Sequence, residues 1–380
     1  MRVKIESFLR EVCEKTTKNN EYPVLTSSKS GLFLQSDYFN KQVASTDNTG
    51  YKIIKKGQFT YRAMSDTGEF YPNMLECVDV GIVSPAYPVF EIFQTDLIIP
   101  EYLKYYFKSN AFQHAISSFA QGSTRTSVKF NKLKTASIDL PSKQEQTKIL
   151  RLLKKAETLI ACRQQELQKL DDLVKARFVE MFGDPKSNPH EYEKPQLKET
   201  CKVITGNTPS RAIREYYGDC LEWIKTDNIV SGVLNPTAAV EKLSRSGVDV
   251  GRTVGAGTIL MACIAGSIAS IGRVCVTDRK VAFNQQINAI VPQKYNVLFL
   301  YTLLQISKDY LVEEINMALK GILSKSKLEE KHFILPPMES QDEFASFVEQ
   351  VDKSKFVESI HVLKLIKEAI AKEVSHDRIR

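Results

Sequence analysis

The sequence contains no uninterrupted apolar run of the roughly 18 residues that a membrane-spanning helix requires. Its first residues mix basic and apolar side chains with no apolar stretch behind them, so no secretory signal is expected. Its seven cysteines are odd in number and never spaced as Cys-x-x-Cys. This argues against a disulfide framework or a zinc knuckle and fits a reducing compartment. Together these absences predict a cytoplasmic protein.

Catalytic signatures are missing as well. There is no Gly-x-x-x-x-Gly-Lys-[Ser/Thr] phosphate loop, which argues against an ATP motor. Both Asn-Pro pairs continue with a residue other than proline, His190 and Thr237, so the Asn-Pro-Pro-aromatic motif of adenine methyltransferases is absent. The five histidines have no metal-ligand spacing. The chain is therefore predicted to be non-catalytic, with no metal site of its own.

The composition is that of an ordinary folded protein. Of 380 residues, 43% are hydrophobic and 26% are charged. At about 100–200 residues per domain, this length predicts two or three domains. The formal charge is +7. This mildly basic balance favours an anionic partner such as nucleic acid, although many basic proteins bind none.

An internal repeat organises the chain. Residues 131–141 resemble residues 326–336 at an offset of 195 residues, which is about half of the chain. The alternative is chance similarity between two strand-to-helix junctions, but similar helical patterns follow both copies and favour duplication. The identical pairs are Lys132 and Lys327, Leu133 and Leu328, Leu140 and Leu335, Pro141 and Pro336, and Gln146 and Gln341.

A helix of about 40 residues is predicted after the first copy. Ser142 and Glu145 form a capping box at its start, and Gly183 followed by Pro185 ends it. Such a helix is about 60 Å long at 1.5 Å per residue, so it needs an equally long partner. Its heptad seam consists of Leu153, Ala156, Ile160, Arg163, Leu167, Leu170 and Val174.

The second copy supplies this partner. Ser340 and Glu343 are its candidate capping box, offset from the first by three residues. The pattern predicts that the two helices form a coiled coil. Periodicity alone leaves parallel and antiparallel pairing open, and a pseudo-two-fold relation between the halves favours antiparallel. The shifted seam consists of Val348, Val351, Lys355, Glu358, Val362, Leu365 and Ala369.

Arg163 and Glu358 occupy the same seam position in the two helices. In an antiparallel pair with its two-fold axis near mid-helix, these charges would approach each other. We hypothesise a central ion pair that sets the register of the coiled coil. The alternative is that both side chains extend to solvent.

The segments before the two helices share one order of elements: strands, an amphipathic helix, a glycine loop, a strand and then the long helix. Strands are predicted over residues 51–54, 58–61, 78–83, 221–224, 257–262 and 287–291, and the amphipathic helices over 101–119 and 297–317. The predicted fold class is α+β, with two similar domains separated by two long helices that form an antiparallel, pseudo-two-fold coiled coil. The predicted boundaries are 1–140 for the first domain, 141–183 for the first helix, 184–335 for the second domain and 336–380 for the second helix.

This organisation resembles the specificity (S) subunit of type I restriction–modification systems, which carries two target-recognition domains separated by two helical spacers. The resemblance covers nearly the whole chain. Two departures are that the second helix begins with Glu339–Gln341 in place of Gln-Glu-Gln, and that the first block lacks a Thr-Gly-x-Thr-Pro start. The matching motifs are Ile138–Pro141, Gln144–Gln146, Glu180–Asp184, Val203–Ser210 and Ala282–Ile290.

The resemblance implies a chain that reads a bipartite, asymmetric target in double-stranded DNA. It implies as partners two methyltransferase (M) subunits and the restriction (R) translocase-nuclease subunits. No cofactor would be bound by this chain, because S-adenosylmethionine, ATP and Mg²⁺ would belong to the partners. The alternative is a coiled-coil interaction scaffold with two similar binding modules and no DNA specificity.

Lysine and arginine hold phosphates, whereas arginine, amide and hydroxyl side chains read base edges. In the first block, a glycine loop and a basic strand region are the candidates for DNA contact. The respective alternatives are a plain helix-to-strand turn and a solvated strand edge. The candidate residues are Gly122, Ser123, Thr124 and Arg125 in the loop, and Lys52, Lys55, Lys56 and Arg62 in the strand region.

In the second block, a polar loop, two amides and several cations are the candidates. Asn284, beside the amides, is expected to hydrogen-bond to turn backbone, and Trp223 is expected to lie in the core. The candidate residues are Thr208, Ser210 and Arg211 in the loop, the amides Gln285 and Gln286, and the cations Arg273, Arg279, Lys320 and Lys325.

Overall fold

A computed structural model describes residues 1–38, 46–119, 126–313, 315 and 321–355. The chain divides into two compact units, residues 1–158 and residues 159–380, and the boundary falls inside a 40-residue helix. None of the described helices combines the length and the apolar character that crossing a bilayer requires.

The first unit contains twelve described strands and four short helices, followed by the start of the long helix. The strands are β1 (Arg2–Lys4), β2 (Leu9–Val12), β3 (Leu25–Ser27), β4 (Leu32–Leu34), β5 (Lys52–Lys55), β6 (Phe59–Thr60), β7 (Met64–Ser65), β8 (Asn73–Met74), β9 (Val80–Val83), β10 (Val89–Ile92), β11 (Thr126–Ser127) and β12 (Ser137–Asp139). The helices are α1 (Gln35–Tyr38), α2 (Pro100–Tyr106), α3 (Asn110–Ser117), α4 (Phe130–Leu133) and α5 (Lys143–Phe182).

The second unit contains the end of α5 and a similar set of elements. Its described strands are β13 (Cys201–Thr205), β14 (Tyr217–Ile224), β15 (Lys242–Leu243), β16 (Thr253–Val254), β17 (Ile259–Ala262), β18 (Ile264–Ala265), β19 (Val274–Val276), β20 (Val281–Phe283), β21 (Ile287–Pro292) and β22 (Gly321–Ile322). Its helices are α6 (Leu197–Thr200), α7 (Arg245–Val250), α8 (Val297–Ile306), α9 (Lys308–Val312), α10 (Lys325–Glu330) and α11, which covers residues 338–355. All six predicted strands overlap observed ones.

Both units are built on the same antiparallel four-stranded sheet. Its strand order is β2-β10-β6-β8 in the first unit and β13-β21-β17-β19 in the second. A second set of pairings is shared too, because β9 pairs antiparallel with β5 as β20 does with β16. A parallel bridge from Val24 to Ile82 corresponds to the parallel pairing of β14 with β20. The prediction of two similar α+β domains is confirmed.

Three strands of the second unit are covered on both faces. Every residue of β17, β19 and β20 is buried, which explains why these segments are continuous apolar runs and do not alternate. In the first unit the core is aromatic: Phe90 lies 5.7 Å from Phe59 and 6.1 Å from Phe107, ring centroid to ring centroid. Each unit therefore has its own core, as a duplicated domain requires.

The repeat seen in the sequence is also a repeat of hydrogen bonds. The buried Gln146 amide accepts a bond from the Ile99 N–H at 2.9 Å and donates to Pro141 O at 3.0 Å. The equivalent Gln341 accepts from the Asn296 N–H at 2.9 Å and donates to Pro336 O at 2.8 Å. Ile99 and Asn296 immediately precede α2 and α8. The helices α2 and α3 of the first unit, and α8 and α9 of the second, are here called the closing helices. The repeated glutamine thus ties the start of the long helix to the domain.

Replacing Gln341 by leucine is expected to lower the free energy of unfolding by about 2–4 kcal/mol, because it leaves the partly buried Asn296 N–H and the buried Pro336 carbonyl without partners. Equilibrium urea unfolding measures this loss. Gln350→Leu is the matched control, because Gln350 is exposed on the same helix. Equal stability of the two variants would contradict a stabilising role for the Gln341 hydrogen bonds.

The predicted ends of α5 are confirmed. The Ser142 N–H donates to Glu145 Oε2 at 2.8 Å, and the Glu145 N–H donates back to Ser142 Oγ at 3.3 Å. At the other end Gly183 adopts a φ of 71°, a left-handed conformation that favours glycine. Its N–H donates to Val179 O at 2.9 Å, which completes the last helical turn.

Helix α11 packs against the C-terminal half of α5 in the antiparallel sense. The Phe178 and Phe344 ring centroids are 5.4 Å apart, and Arg177 Nη2 lies 3.1 Å from Glu343 Oε1. Seven positions before Phe178 in α5, Asp171 forms an ion pair with Lys355, so the numbering rises in one helix as it falls in the other. Within the described residues of the second unit, the antiparallel pairing is confirmed.

The hypothesised register pair falls partly outside the described residues, because Glu358 is not among them. Arg163 itself is well shielded, with 13% of its side chain exposed, and its Nη1 contacts Glu166 one turn along α5. A central Arg163–Glu358 ion pair stays a prediction.

Two predictions about helices are wrong. The closing helix of each unit is broken in two: Ser109 caps α3 through the Phe112 N–H at 3.2 Å, and Ser307 separates α8 from α9. The second capping box is also misplaced, because α11 already begins at Met338, immediately after Pro337. The Gln341 N–H donates to Pro337 O at 3.2 Å, so the first helical turn is complete before Glu343, and Ser340 and Glu343 lie inside the helix.

All seven cysteines are free thiols that differ in exposure. Burial raises the pKa of Cys201 to about 11 and that of Cys263 and Cys275 to about 12. Because the thiolate is the reactive form, iodoacetamide at neutral pH is expected to spare these three residues in the native protein. It should modify the exposed Cys13, Cys77, Cys162 and Cys220. Peptide mass spectrometry checks this pattern, and labelling of Cys275 as fast as Cys220 would contradict the burial.

Candidate nucleic-acid interface

Two motifs that are far apart in the sequence meet in the second unit. The loop after β13 crosses the turn between β20 and β21: the Gly206 N–H donates to Ile287 O at 3.0 Å, and the Asn207 N–H donates to Phe283 O at 3.2 Å. The Thr208 hydroxyl donates to the side-chain oxygen of Gln285. The predicted DNA-contacting residues of the two motifs therefore form one polar surface, here called the motif cluster (residues 205–211 and 284–286).

Gly206 makes this crossing possible. A Cβ at this position would overlap the backbone oxygens of Phe283 and Asn284, so only glycine lets the two segments approach. Asn284 is buried, and its Oδ1 accepts from the Gln286 N–H at 3.1 Å, which is the structural role expected for it. Gln285, in contrast, is exposed at the tip of the turn.

Arg211 is held in one orientation by three neighbours. Its guanidinium lies 4.4 Å from the Tyr217 ring centroid and 5.2 Å from that of Trp223. Its Nη2 donates to Glu241 Oε2 at 2.6 Å, and Lys225 donates to the other oxygen of the same carboxylate at 2.7 Å. Just over half of the Arg211 side chain stays exposed. Because a guanidinium has five donors, most of them remain available to a ligand.

The residues around Arg211 keep its partner charged. The hydrogen bond from Lys225, followed by that from Arg211, lowers the pKa of the Glu241 carboxyl. Trp223 is 3% exposed, as predicted for a core residue, and its indole N–H donates to Asn207 O at 3.3 Å. The aromatic platform is therefore tied to the loop that carries Arg211.

Two other predicted DNA-contacting cations of the second unit, Arg273 and Arg279, have contacts within the protein. Arg279 pairs with Glu222 and Asp278, and Arg273 donates to Ser270 O at 3.2 Å and to Thr226 O at 3.3 Å. These contacts occupy part of each guanidinium. A phosphate-binding role for the two arginines stays a prediction.

The segment that carries Lys325 reaches the motif cluster through two backbone bonds. The Leu323 N–H donates to Cys263 O at 2.8 Å, and the Cys263 N–H donates to Gln286 O at 2.8 Å. Lys325 lies 3.5 Å from Glu329 in α10. Ser210 is exposed in the loop beside Arg211, and Lys320 lies outside the described residues.

In the strand region of the first unit, each of the four predicted cations faces a carboxylate. Nitrogen–oxygen distances are 3.8 Å from Lys52 to Glu11, 2.8 Å from Lys55 to Glu14, 3.3 Å from Lys56 to Asp79 and 4.0 Å from Arg62 to Asp66. The charge of this strand region is largely cancelled, which weakens its attraction for phosphate. Gly122, Ser123, Thr124 and Arg125 lie outside the described residues.

Some residues that shape the candidate surfaces of the two units could not be predicted from the sequence. Tyr217 and Glu241 orient Arg211, but they lie 6 and 30 positions away and no spacing rule connects them. The turn over residues 84–87 of the first unit joins β9 to β10, as residues 284–286 join β20 to β21. The two turns share no sequence, and only the shared order of strands identifies them as equivalent.

Comparison with known proteins places both halves in one family. The family model described as type I restriction modification DNA specificity domain matches residues 6–172 and again residues 189–367. The HindI specificity subunit of Haemophilus influenzae, a type I restriction enzyme subunit, is 22% identical over 74% of this chain and 77% of its own length. The MjaIX specificity subunit of Methanocaldococcus jannaschii is 25% identical over 76% of this chain and 71% of its own.

A solved structure shares the fold. A chain from a study of complex assembly and conformational transition of the type I R-M system matches with a TM-score of 0.56 and 16% identity. The match covers 98% of this chain and 95% of that one. With the family model matching most of the sequence twice over, this chain belongs to the type I restriction modification DNA specificity domain family.

Proposed function

We propose that this chain is the DNA sequence-recognition subunit of a type I restriction–modification complex, and that each unit reads one half of a bipartite, asymmetric target. The observation that carries this is one fold present twice in a chain of a DNA specificity family. The equivalent turns differ completely: Asn284–Gln286 in the second unit corresponds to residues 84–87, Ser-Pro-Ala-Tyr, in the first. Two readers with different surfaces favour a target whose halves differ.

The chain is a reader and has no catalytic role, in keeping with its membership of a specificity family. The alternative of a protein-binding scaffold without DNA specificity is not favoured by that membership. Within the described residues, no group of histidines, cysteines and carboxylates is arranged to hold a metal.

The partners follow from the same proposal. The chain assembles with the M and R subunits of the complex, and the duplicated architecture favours two M subunits, one for each half. S-adenosylmethionine, ATP and Mg²⁺ then belong to those subunits. The 40-residue helix α5, inside which the boundary between the two units falls, favours a helical spacer between the two readers.

Deleting one heptad of α5, residues 157–163, tests this spacer. The deletion shortens the helix by about 10 Å at 1.5 Å per residue, which corresponds to about three base pairs at 3.4 Å each. The preferred gap between the half-sites is therefore expected to shift by about three base pairs, while both half-site sequences stay unchanged. Methylation of substrates with graded gaps measures the shift. An unchanged gap would contradict the proposal that the length of α5 sets the distance between the half-sites.

The proposal itself is tested by the salt dependence of DNA binding. The chain, assembled with its methyltransferase partner, is expected to bind duplex DNA with an affinity that falls steeply as salt rises, because each phosphate contact releases counterions. A specific duplex should also compete better than an unrelated one. Weak binding with no salt slope and no sequence preference would favour the scaffold alternative.

A further inference from the structure

A cleft of about 920 Å³ opens in the first unit. It lies between the β3–β4 hairpin, strand β7 with the loop that follows it, and the turn over residues 84–87. Three tyrosines, Tyr51, Tyr71 and Tyr87, contribute to its walls together with serine and threonine hydroxyls.

The cleft occupies the position that the motif cluster occupies in the second unit. Its turn, residues 84–87, is the counterpart of Asn284–Gln286 in the order of strands. One wall is β7, which pairs antiparallel with β11, as β18 pairs with β22 beside the motif cluster. Thr126, the first described residue of the predicted glycine loop over residues 121–127, pairs with Ser65 in this wall. Because the fold is duplicated, the equivalent position of the two surfaces favours an equivalent role.

The charges of the cleft suit base edges better than phosphates. Lys29 and Arg62 are its two cations, and Asp66 and Glu69 are its two carboxylates, so the formal charges cancel. Lys29 Nζ lies 3.2 Å from Glu69 Oε2 and 5.1 Å from the Tyr71 ring centroid, which holds it in place. Phosphate binding depends on excess positive charge, whereas base edges offer both amino donors and carbonyl or N7 acceptors. Paired donors and acceptors match the second pattern.

Three of the four cations of the basic strand region, Lys52, Lys55 and Lys56, do not line this cleft. Lys55 and Lys56 lie outside it, and each is paired with a carboxylate, Glu14 and Asp79. Arg62 is the one predicted DNA-contacting residue that lies in the cleft wall among the residues that the structure describes. It is about half exposed, and the distance of 4.0 Å to Asp66 leaves its donors largely available.

We propose that this cleft is the surface through which the first unit reads base edges of double-stranded DNA, with Arg62 as a specificity-determining residue. This rests on the proposed function, because it assigns to the first unit a reading site within a two-reader subunit. It narrows the sequence-based assignment, because only Arg62 of the four predicted cations in the strand region lies in the cleft.

The test uses the full chain in complex with its partner methyltransferase. Rates of methylation are compared on duplexes that differ at single base pairs of each half-site. An Arg211→Ala variant marks the half-site of the second unit, and the other half-site is then assigned to the first. Arg62→Gln is expected to lower discrimination about 5- to 150-fold at one base pair of that other half-site, the effect of losing one good base contact.

Two further variants make the result specific. Tyr87→Phe removes only a hydroxyl from the cleft and is expected to change discrimination in the same half-site, with the melting temperature of the complex unchanged. Arg10→Gln is the matched control, because Arg10 lies in the first unit and is also paired with a carboxylate, Glu91 at 2.6 Å, but outside the cleft. It should leave discrimination unaltered.

Three outcomes would overturn the inference while the wild-type complex still methylates a bipartite target. One is unaltered discrimination in both cleft variants. Another is discrimination that responds to Lys56→Gln and not to Arg62→Gln. The third is an Arg62→Gln variant that binds all sequences more weakly and with a shallower salt slope, which is the signature of a phosphate contact. A wild-type complex without any bipartite target would instead remove the proposed function, and the inference with it.

Discussion

Replacing Arg211 by alanine is expected to abolish most of the preference for guanine at one position of the half-site that the second unit reads. A guanidinium that binds guanine O6 and N7 together contributes about 1–3 kcal/mol of discrimination, which is about 5- to 150-fold in relative rate. Arg211 is suited to this because Tyr217 and Trp223 support its face and Glu241 fixes its edge. Relative methylation rates of duplexes with each base pair at that position measure the effect.

The positioning of Arg211 can be separated from its charge. Arg211→Lys keeps the charge but loses the planar fork, so it is expected to lose discrimination nearly as fully as alanine. Glu241→Gln keeps Arg211 and removes the ionised partner, and a smaller loss at the same base pair is expected. Arg245→Ala removes an exposed arginine from α7 of the same unit and serves as the control. Equal weakening on all sequences by Arg211→Ala would contradict base reading.

Replacing Phe178 by alanine is expected to cause the largest loss of stability. Phe178 is fully buried, and its ring lies 5.4 Å from both Phe299 and Phe344, centroid to centroid. It therefore joins α5, α8 and α11 in one aromatic cluster. Truncating a buried phenylalanine costs about 3–5 kcal/mol, because apolar area is lost and a cavity remains. Such a loss is a large part of the stability of an ordinary domain.

The neighbouring residue provides a control for this variant. Val179 is next in α5 but 46% exposed, so Val179→Ala is expected to change the free energy of unfolding by less than about 0.5 kcal/mol. Denaturant unfolding of both variants, followed by circular dichroism, gives the comparison. A loss below about 1 kcal/mol for Phe178→Ala would mean that the three helices are not held together through this ring.

The parts of the fold that the sequence predicted depend on local or repeated signals. The ends of α5 follow from Ser142, Glu145 and Gly183, whose capping chemistry needs only neighbouring residues. The equivalence of Gln146 and Gln341 follows from the repeat, because duplicated residues keep duplicated hydrogen bonds. The heptad seam predicted only part of the packed face of α5, since Val174 is buried where the pattern placed it but Ile160 is 42% exposed.

The parts that the sequence did not predict depend on contacts between distant segments. The closing helices look continuous by their apolar periodicity, and a single serine, Ser109, ends one and caps the next. The orientation of Arg211 depends on Glu241, 30 residues away, and no local pattern encodes that pairing. The pairing of Lys55 with Glu14 is equally non-local, so the sequence could not tell a free basic strand from a neutralised one.

Mapping methylated adenines across the genome of cells that express this chain with its partner methyltransferase identifies the DNA target that the two units read. Methylation is expected at one bipartite sequence, with two different short half-sites separated by a gap of fixed length and unspecified composition. Methylation at a continuous or palindromic sequence, or at sites without any shared sequence, would contradict this expectation.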